Sequence, residues 1–254
     1  MTDTVERKIP PISGAIGISH LKVYTTEGPD GLRGGCPHMH FTCTETYAVL
    51  SGQGSVQTLS YGGFEEVSLE PGQLIWYTPG VIHRLINQDG KLELLVIMQN
   101  AGLPEAGDHV LTFPAEILAD REAYFKAASL ATAEGLVYAE GEEVAFRRRD
   151  LAVIGFNTLR ERINREGPSV MDDFYRQAIE IVQPNLAHWR SIWEANALAT
   201  VKETDGHLRA IAKGERRHLH QGRVYTLPPP GDARRLGFCG WLSPYDLEGT
   251  ICRP

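Results

Sequence analysis

Between residues 14 and 100 the chain consists of short runs in which apolar and polar positions alternate or cluster: ISHLKVY, ETYAVL, SVQTLSY, FEEVSL, QLIWYT, HRLIN and LELLVIM. GPDGLRGG, SGQG, YGG, EPGQ, TPG and NQDG separate them, all rich in residues that reverse a chain. Short strands with turn residues between them predict an antiparallel sandwich or barrel. No internal repeat is evident.

Beyond NAGLPEAGD the period lengthens. Residues 114–131 (PAEILADREAYFKAASLA) are good helix formers, with Pro114 at the start. After Pro168, Ser169 and Asp172 resemble an N-cap with an acidic first turn, and Phe174, Ala178, Ile181 and Val182 form an apolar stripe. Pro184 ends that helix, and Asn185 is placed to cap the next. There Leu186, Trp189, Trp193, Ala197 and Val201 recur at helical spacing as one packing face, with Gly206 as the stop. The remainder, with Pro228, Pro229 and Pro230 in a row, reads as irregular. The expected organisation is a β domain over 1–113, a helical segment over 114–213 and an irregular Pro-containing tail over 214–254.

Composition adds exclusions. The chain has 254 residues, 42 % of them hydrophobic and 22 % charged, as in a globular protein with a sizeable core. A net charge of −7 opposes a general nucleic-acid role, because phosphate binding needs a basic field. No helix-turn-helix with a basic recognition helix is apparent. No apolar run reaches membrane-spanning length and no leader pattern opens the chain, whose first residues, TDTVERKIPP, are polar and expected to fray. The four cysteines, Cys36, Cys43, Cys239 and Cys252, include no C-x-x-C pair, so a cytoplasmic protein without a disulfide framework is expected.

The chemistry concentrates in CPHMHFTCTE, residues 36–45. On a strand, His38 and His40 share one face with Cys36. If FTCT turns the chain, Glu45 opens an antiparallel strand opposite His40. Two imidazoles and a carboxylate then lack only a third nitrogen to hold a first-row divalent metal with open positions. Alternation on a half-exposed strand would give the same two histidines, so the pair alone does not decide. Residues 216–221, RRHLHQ, repeat the H-x-H without a glutamate at that distance and read as a surface segment. His20, His109, His188 and His207 stand alone and are assigned no chemistry.

These residues, with those that follow, resemble the cupin superfamily. Its first motif, G-x5-H-x-H-x3/4-E-x6-G, is met by His38, His40, Glu45 and Gly52, with the leading glycine (Gly31) one position early. Its second, G-x5-P-x-G-x2-H-x3-N, is met within GQLIWYTPGVIHRLIN by Gly72, Gly80, His83 and Asn87. The proline sits one place late, at Pro79 rather than Thr78. The resemblance covers about residues 14–100. It implies a mainly β fold, a cupin-type double-stranded β-barrel (jelly roll), here followed by an α-helical segment and an extended tail. It implies a metal held by His38, His40, Glu45 and His83, iron first, with manganese, nickel or zinc as alternatives. Asn87 is expected to hold backbone. A homodimer is implied as well.

Three readings of function follow. The first is an Fe(II)-type oxygenase (dioxygenase) acting on a small molecule, with Glu45 and Tyr47 as catalytic candidates. The second is a metal-dependent isomerase, epimerase or lyase on a sugar or keto acid. The third is a small-molecule-binding module without catalysis. Lys22, Arg33, Gln57, Arg84 and Gln99 are candidate polar contacts for a substrate. Arg84, next to His83 on a regular strand, should point away from the metal.

Overall fold

The computed structural model describes residues 9–130, 142–230, 235–247 and 250–253. The polar first residues and the last residue of the expected 114–131 helix lie outside these.

Seven strands account for the seven alternating runs, and β2 comes from the His38 stretch: β1 (Gly17–Val23), β2 (His38–Met39), β3 (Glu45–Ser51), β4 (Gly54–Ser60), β5 (Gly63–Leu69), β6 (Leu74–Tyr77), β7 (Ile82–Asn87) and β8 (Glu93–Met98). A ninth, β9 (Val110–Leu111), precedes the helices. Gly52 shows why a turn here demands glycine. Its φ is +81°, and a Cβ would lie 2.3 Å from the Lys91 carbonyl group.

The strands form two antiparallel sheets packed as a double-stranded β-helix, the cupin-type jelly roll. One has five strands in the order β5-β4-β7-β2-β9. The other has six, adding β11 (Arg235–Leu236) and β12 (Gly240–Pro244) in the order β11-β12-β1-β8-β3-β6. Part of the stretch read as irregular tail therefore belongs to the barrel. Lys22 pairs with Trp241 and Leu21 with Leu242 along β1 and β12. The rest contributes a small two-stranded pairing of β10 (Val224–Thr226) with β13 (Ile251–Arg253).

The expected hairpin between His40 and Glu45 is not formed. β2 pairs with β7 and β9, whereas β3 pairs with β6 and β8 in the other sheet. The four intervening residues cross between sheets because other groups hold them open. The Asp108 carboxylate accepts from the Phe41 and Thr42 amides at 3.1 and 3.0 Å, and the Asn100 side-chain amide donates to the Thr42 carbonyl at 3.3 Å.

The helical half departs further from expectation. The 114–131 segment splits into α1 (Ala115–Leu118) and α2 (Arg121–Ala128), because Asp120 caps the second by accepting from the Glu122 and Ala123 amides. A 25-residue helix, α3 (Glu142–Glu166), lies within the helical segment expected over 114–213, but the sequence reading delimits no individual helix there. In α4 (Val170–Val182) Ser169 makes no side-chain cap, since its backbone is already helical. Asn185 likewise does not cap α5 (Leu186–Ala195). Asn196 then interrupts the expected single face, at φ −112° and ψ −88°, with its amide donating to Ala101 O at 3.2 Å. α6 (Ala197–Ala212) runs through Gly206 and leaves Val201 63 % exposed. No helix among the described residues is long and apolar enough to cross a membrane.

Two apolar cores result. One fills the barrel interior, with Leu21, Val49, Val56, Leu69, Leu85 and Leu94. The other lies between the outer face of the five-stranded sheet and the helices, with Met39, Leu59, Ile82, Phe156, Met171 and Phe174. α3 comes unusually close to the barrel at Gly155, where a Cβ would lie 2.0 Å from Thr112 O. β7 lies between the two cores and is buried along its whole length.

Candidate metal centre

β7 and β2 bring His83 directly opposite His38 in register, and period-two alternation puts His40 on the same side of its strand as His38. Glu45, at the start of β3, faces them from the opposite sheet. The nearest carboxylate oxygen, Oε2, lies 2.8 Å from His83 Nε2, 3.2 Å from His40 Nε2 and 4.0 Å from His38 Nε2. The four ligand atoms lie within 4.8 Å of one another, and all four residues are buried. The sequence reading thus found the set of residues while misplacing the sheet that carries the glutamate.

Each histidine is fixed through its other nitrogen. Nδ1 of His38 donates to Cys36 O at 2.9 Å, that of His40 to Asp108 O at 2.5 Å and that of His83 to Val81 O at 3.2 Å. These bonds assign the tautomer in which Nε2 carries a lone pair toward the centre. Three lone pairs then face a carboxylate oxygen, an arrangement that repels itself unless a cation or protons lie among them. Glu45 Oε2 and His83 Nε2 are in fact buried without a hydrogen-bond partner. The donor set therefore fits a divalent first-row metal with three nitrogens and one oxygen.

Local electrostatics agree. Burial opposes the Glu45 charge, but facing His83 and His40 outweigh it and hold the carboxyl well below its usual range. Burial, with His83 and His40 alongside, keeps His38 well below an ordinary imidazole. His40 goes the other way: burial lowers it, yet the Glu45 carboxylate raises it overall. Tyr47 and Tyr77 line the interior beside the cluster, and the Tyr77 ring stacks on His83 at 4.6 Å. Burial and the Glu45 charge push both phenols up, so each keeps its proton.

His38, His40, Glu45 and Tyr47 open onto a cavity of about 460 Å³. Its walls are mainly apolar, from Leu21, Val96, Met98, Leu236, Phe238 and Leu242. None of the polar candidates Lys22, Arg33, Gln57, Arg84 or Gln99 lines it. Arg84 does point away, into a pair with Asp30 at 2.5 Å, and Lys22 pairs with Glu93 at 3.0 Å. Gln57 donates to Glu66, Arg33 faces Glu27 at 3.9 Å, and Gln99 accepts from the Thr44 amide. Asn87 holds backbone as expected, donating to Val23 O and accepting from the Leu92 amide.

The polar wall is made by residues that sequence reasoning passed over. His109 contacts Phe238 with ring centres 4.5 Å apart, and burial next to His40 and Arg148 lowers its pKa to about 3. Arg148 comes from α3. The only sequence signal for Arg148 is helical: Ala145, Ala152, Phe156, Leu159 and Ile163 define an apolar stripe, and Arg148 falls within it. The second H-x-H behaves as a decoy. His218 stacks on His207 with centres 4.5 Å apart, and no group of three or more ligand side chains forms there among the described residues. Cys36, Cys43 and Cys239 are free thiols.

A family model described as Cupin matches residues 4–120. A search of curated proteins returned no match. Among solved structures, a cupin protein from Bacteroides fragilis is 25 % identical, covering 34 % of this chain and 65 % of that one, with a TM-score of 0.26. A conserved protein with a double-stranded beta-helix domain from Klebsiella pneumoniae is 18 % identical, covering 33 % and 64 %, with a TM-score of 0.25. WlaRA, a TDP-fucose-3,4-ketoisomerase from Campylobacter jejuni, is 13 % identical, covering 37 % and 64 %, with a TM-score of 0.30. The chain spans a little under two thirds of each of these proteins. With the family match over residues 4–120 and both motifs assembled into one four-residue cluster, the barrel part of the chain is a cupin domain.

Proposed function

We propose that the chain is a metal-dependent enzyme acting on a small organic molecule, and specifically an Fe(II)-type oxygenase. The observation that carries this is a complete three-histidine, one-carboxylate set at the wall of a largely apolar cavity. A sugar would require hydrogen-bonding groups along its whole edge. Leu21, Val96, Met98, Phe238 and Leu242 confine the hydrogen-bonding groups to one part of the wall, which favours oxygenation of a substrate with an apolar body over sugar isomerisation.

A bound metal supplies Lewis acidity and redox capacity at this position. The chain's own residues do the rest. The three imidazoles are locked in the ligating tautomer by Cys36 O, Asp108 O and Val81 O. Glu45 remains ionised, available as a ligand or as a base for a proton on a substrate oxygen or carbon. Tyr47 stays protonated and offers a donor at the cavity wall. Phe238, Leu236 and Leu242 give that point an apolar surround.

Elemental analysis of protein purified without added metal, followed by oxygen uptake against a panel of small aromatic and keto compounds, tests this reading. Near-stoichiometric iron with substrate-dependent oxygen consumption is expected. Zinc with turnover independent of oxygen would move the reading to an isomerase or lyase. Failure to take up iron, manganese, nickel or zinc would end it.

A further inference from the structure

Arg147, Arg148 and Arg149 follow one another near the start of α3, and the helix gives them three different environments. Arg147 is exposed. Arg149 is 2 % exposed and fully engaged: it donates to Thr26 O and Oγ1, to Glu27 O, and to the Asp150 carboxylate at 2.9 Å. Arg148 is 5 % exposed and has no carboxylate partner among the described residues.

Its contacts are all uncharged. One terminal nitrogen donates to Gly237 O at 2.8 Å and the other to Ala128 O at 3.3 Å. The guanidinium lies over the Phe238 ring at 4.7 Å. Nε is buried without a partner. A buried, unopposed positive charge is expensive, and two carbonyls with a ring face do not neutralise it.

The charge also stands in the right place. Arg148 lines the same cavity as the metal cluster, and a single ring, Phe238, lies between it and His38, with the two rings 5.1 Å apart. Among the described residues, both carboxylates on that cavity are committed. Glu45 faces the histidines, and Glu105 accepts from the Gly102 amide at the exposed rim.

We propose that Arg148 is the specificity-determining residue of the cavity and binds the carboxylate of a small acid whose body is apolar. The planar guanidinium presents paired donors to the two oxygens of a carboxylate, and the leucine, valine and phenylalanine side chains cover the rest. Phe238 sets the distance between the anchored carboxylate and the metal cluster. This rests on the proposed use of the cavity as a substrate site, and it fixes the substrate class.

Calorimetric titration of the full chain with benzoate and with benzyl alcohol, once zinc-loaded and once metal-stripped, tests it. Benzoate is expected to bind at least about tenfold more tightly than benzyl alcohol in both metal states. Arg148→Gln should remove that preference while leaving benzyl alcohol affinity and metal content unchanged. Arg148→Lys keeps the charge without the fork and should lose most of the preference. Equal binding of the two probes by the metal-stripped wild type would overturn the proposal without any variant having to fold. Retention of the preference in Arg148→Gln would overturn it too, by assigning the carboxylate to another group. Failure of metal uptake would sink the enzyme reading separately, since the metal-stripped titration does not depend on it.

Discussion

The barrel interior and the layer beneath the helices are both closed apolar cores, yet they handle buried charge in opposite ways. In the barrel, the Glu45 carboxylate is answered by three imidazoles from one opposing sheet. In the helical layer, Arg149 is answered at once by Asp150 and two backbone carbonyls, whereas Arg148 is answered by carbonyls alone. The first core is built around an anion that a cation must balance, and the second holds a cation at the boundary where the two cores meet. The cavity lies between these two unmet demands.

The strongest way to break the contrast is to loosen one core and watch the other. Phe156, fully buried in the helical layer, packs toward Phe64 on β5. Phe156→Ala should cost about 3–5 kcal/mol, typical of a large aromatic truncated in a core. Denaturant unfolding of the variant should remain a single transition at a lower midpoint, because β12 and α3 tie the halves together. Two separate transitions would show that the cores are independent units.

A smaller effect is expected at the crossing between the two sheets. Asp108 holds the crossing after His40 through its carboxylate and receives His40 Nδ1 on its carbonyl. Asp108→Ala keeps that carbonyl but frees the crossing, so metal affinity should fall by about 10–100-fold with every ligand still present. Competition against a chromophoric chelator measures this, and an unchanged affinity would show that β2 holds His40 without help.

The smallest effect belongs to the uncovered face of the six-stranded sheet. Leu74 and Trp76 on the edge strand β6 are 59 % and 64 % exposed, whereas helices cover the matching face of the other sheet. Trp76→Ser should change stability by less than about 0.5 kcal/mol. If the homodimer implied by the family uses this face, sedimentation of the variant should shift to the monomer while thermal melting of the dilute protein stays put.

The barrel and the four residues that cluster inside it were legible because their information is local. Turn glycines such as Gly52 and the spacing of His38, His40, Glu45 and His83 survive without knowledge of which strands pair. Pairing itself did not. Whether residues 41–44 turn back or cross depends on Asp108 and Asn100, far along the chain. α3 was missed because Arg148 and Arg149 interrupt its apolar stripe, and a pattern search reads charge as surface. β12 was missed because the triple proline marks its surroundings as irregular, while its partner β1 lies at the opposite end of the sequence.

That last pairing has a consequence for how the molecule comes into being. During synthesis β1 leaves the ribosome early, with one edge against β8 and the other waiting for β12. Phe238 and Cys239, which close the wall of the metal cavity, arrive with the same late segment. A nascent chain can therefore assemble His38, His40, Glu45 and His83 well before it has a chamber around them. For that interval the four-residue cluster stands without the wall that Phe238 and Cys239 later supply.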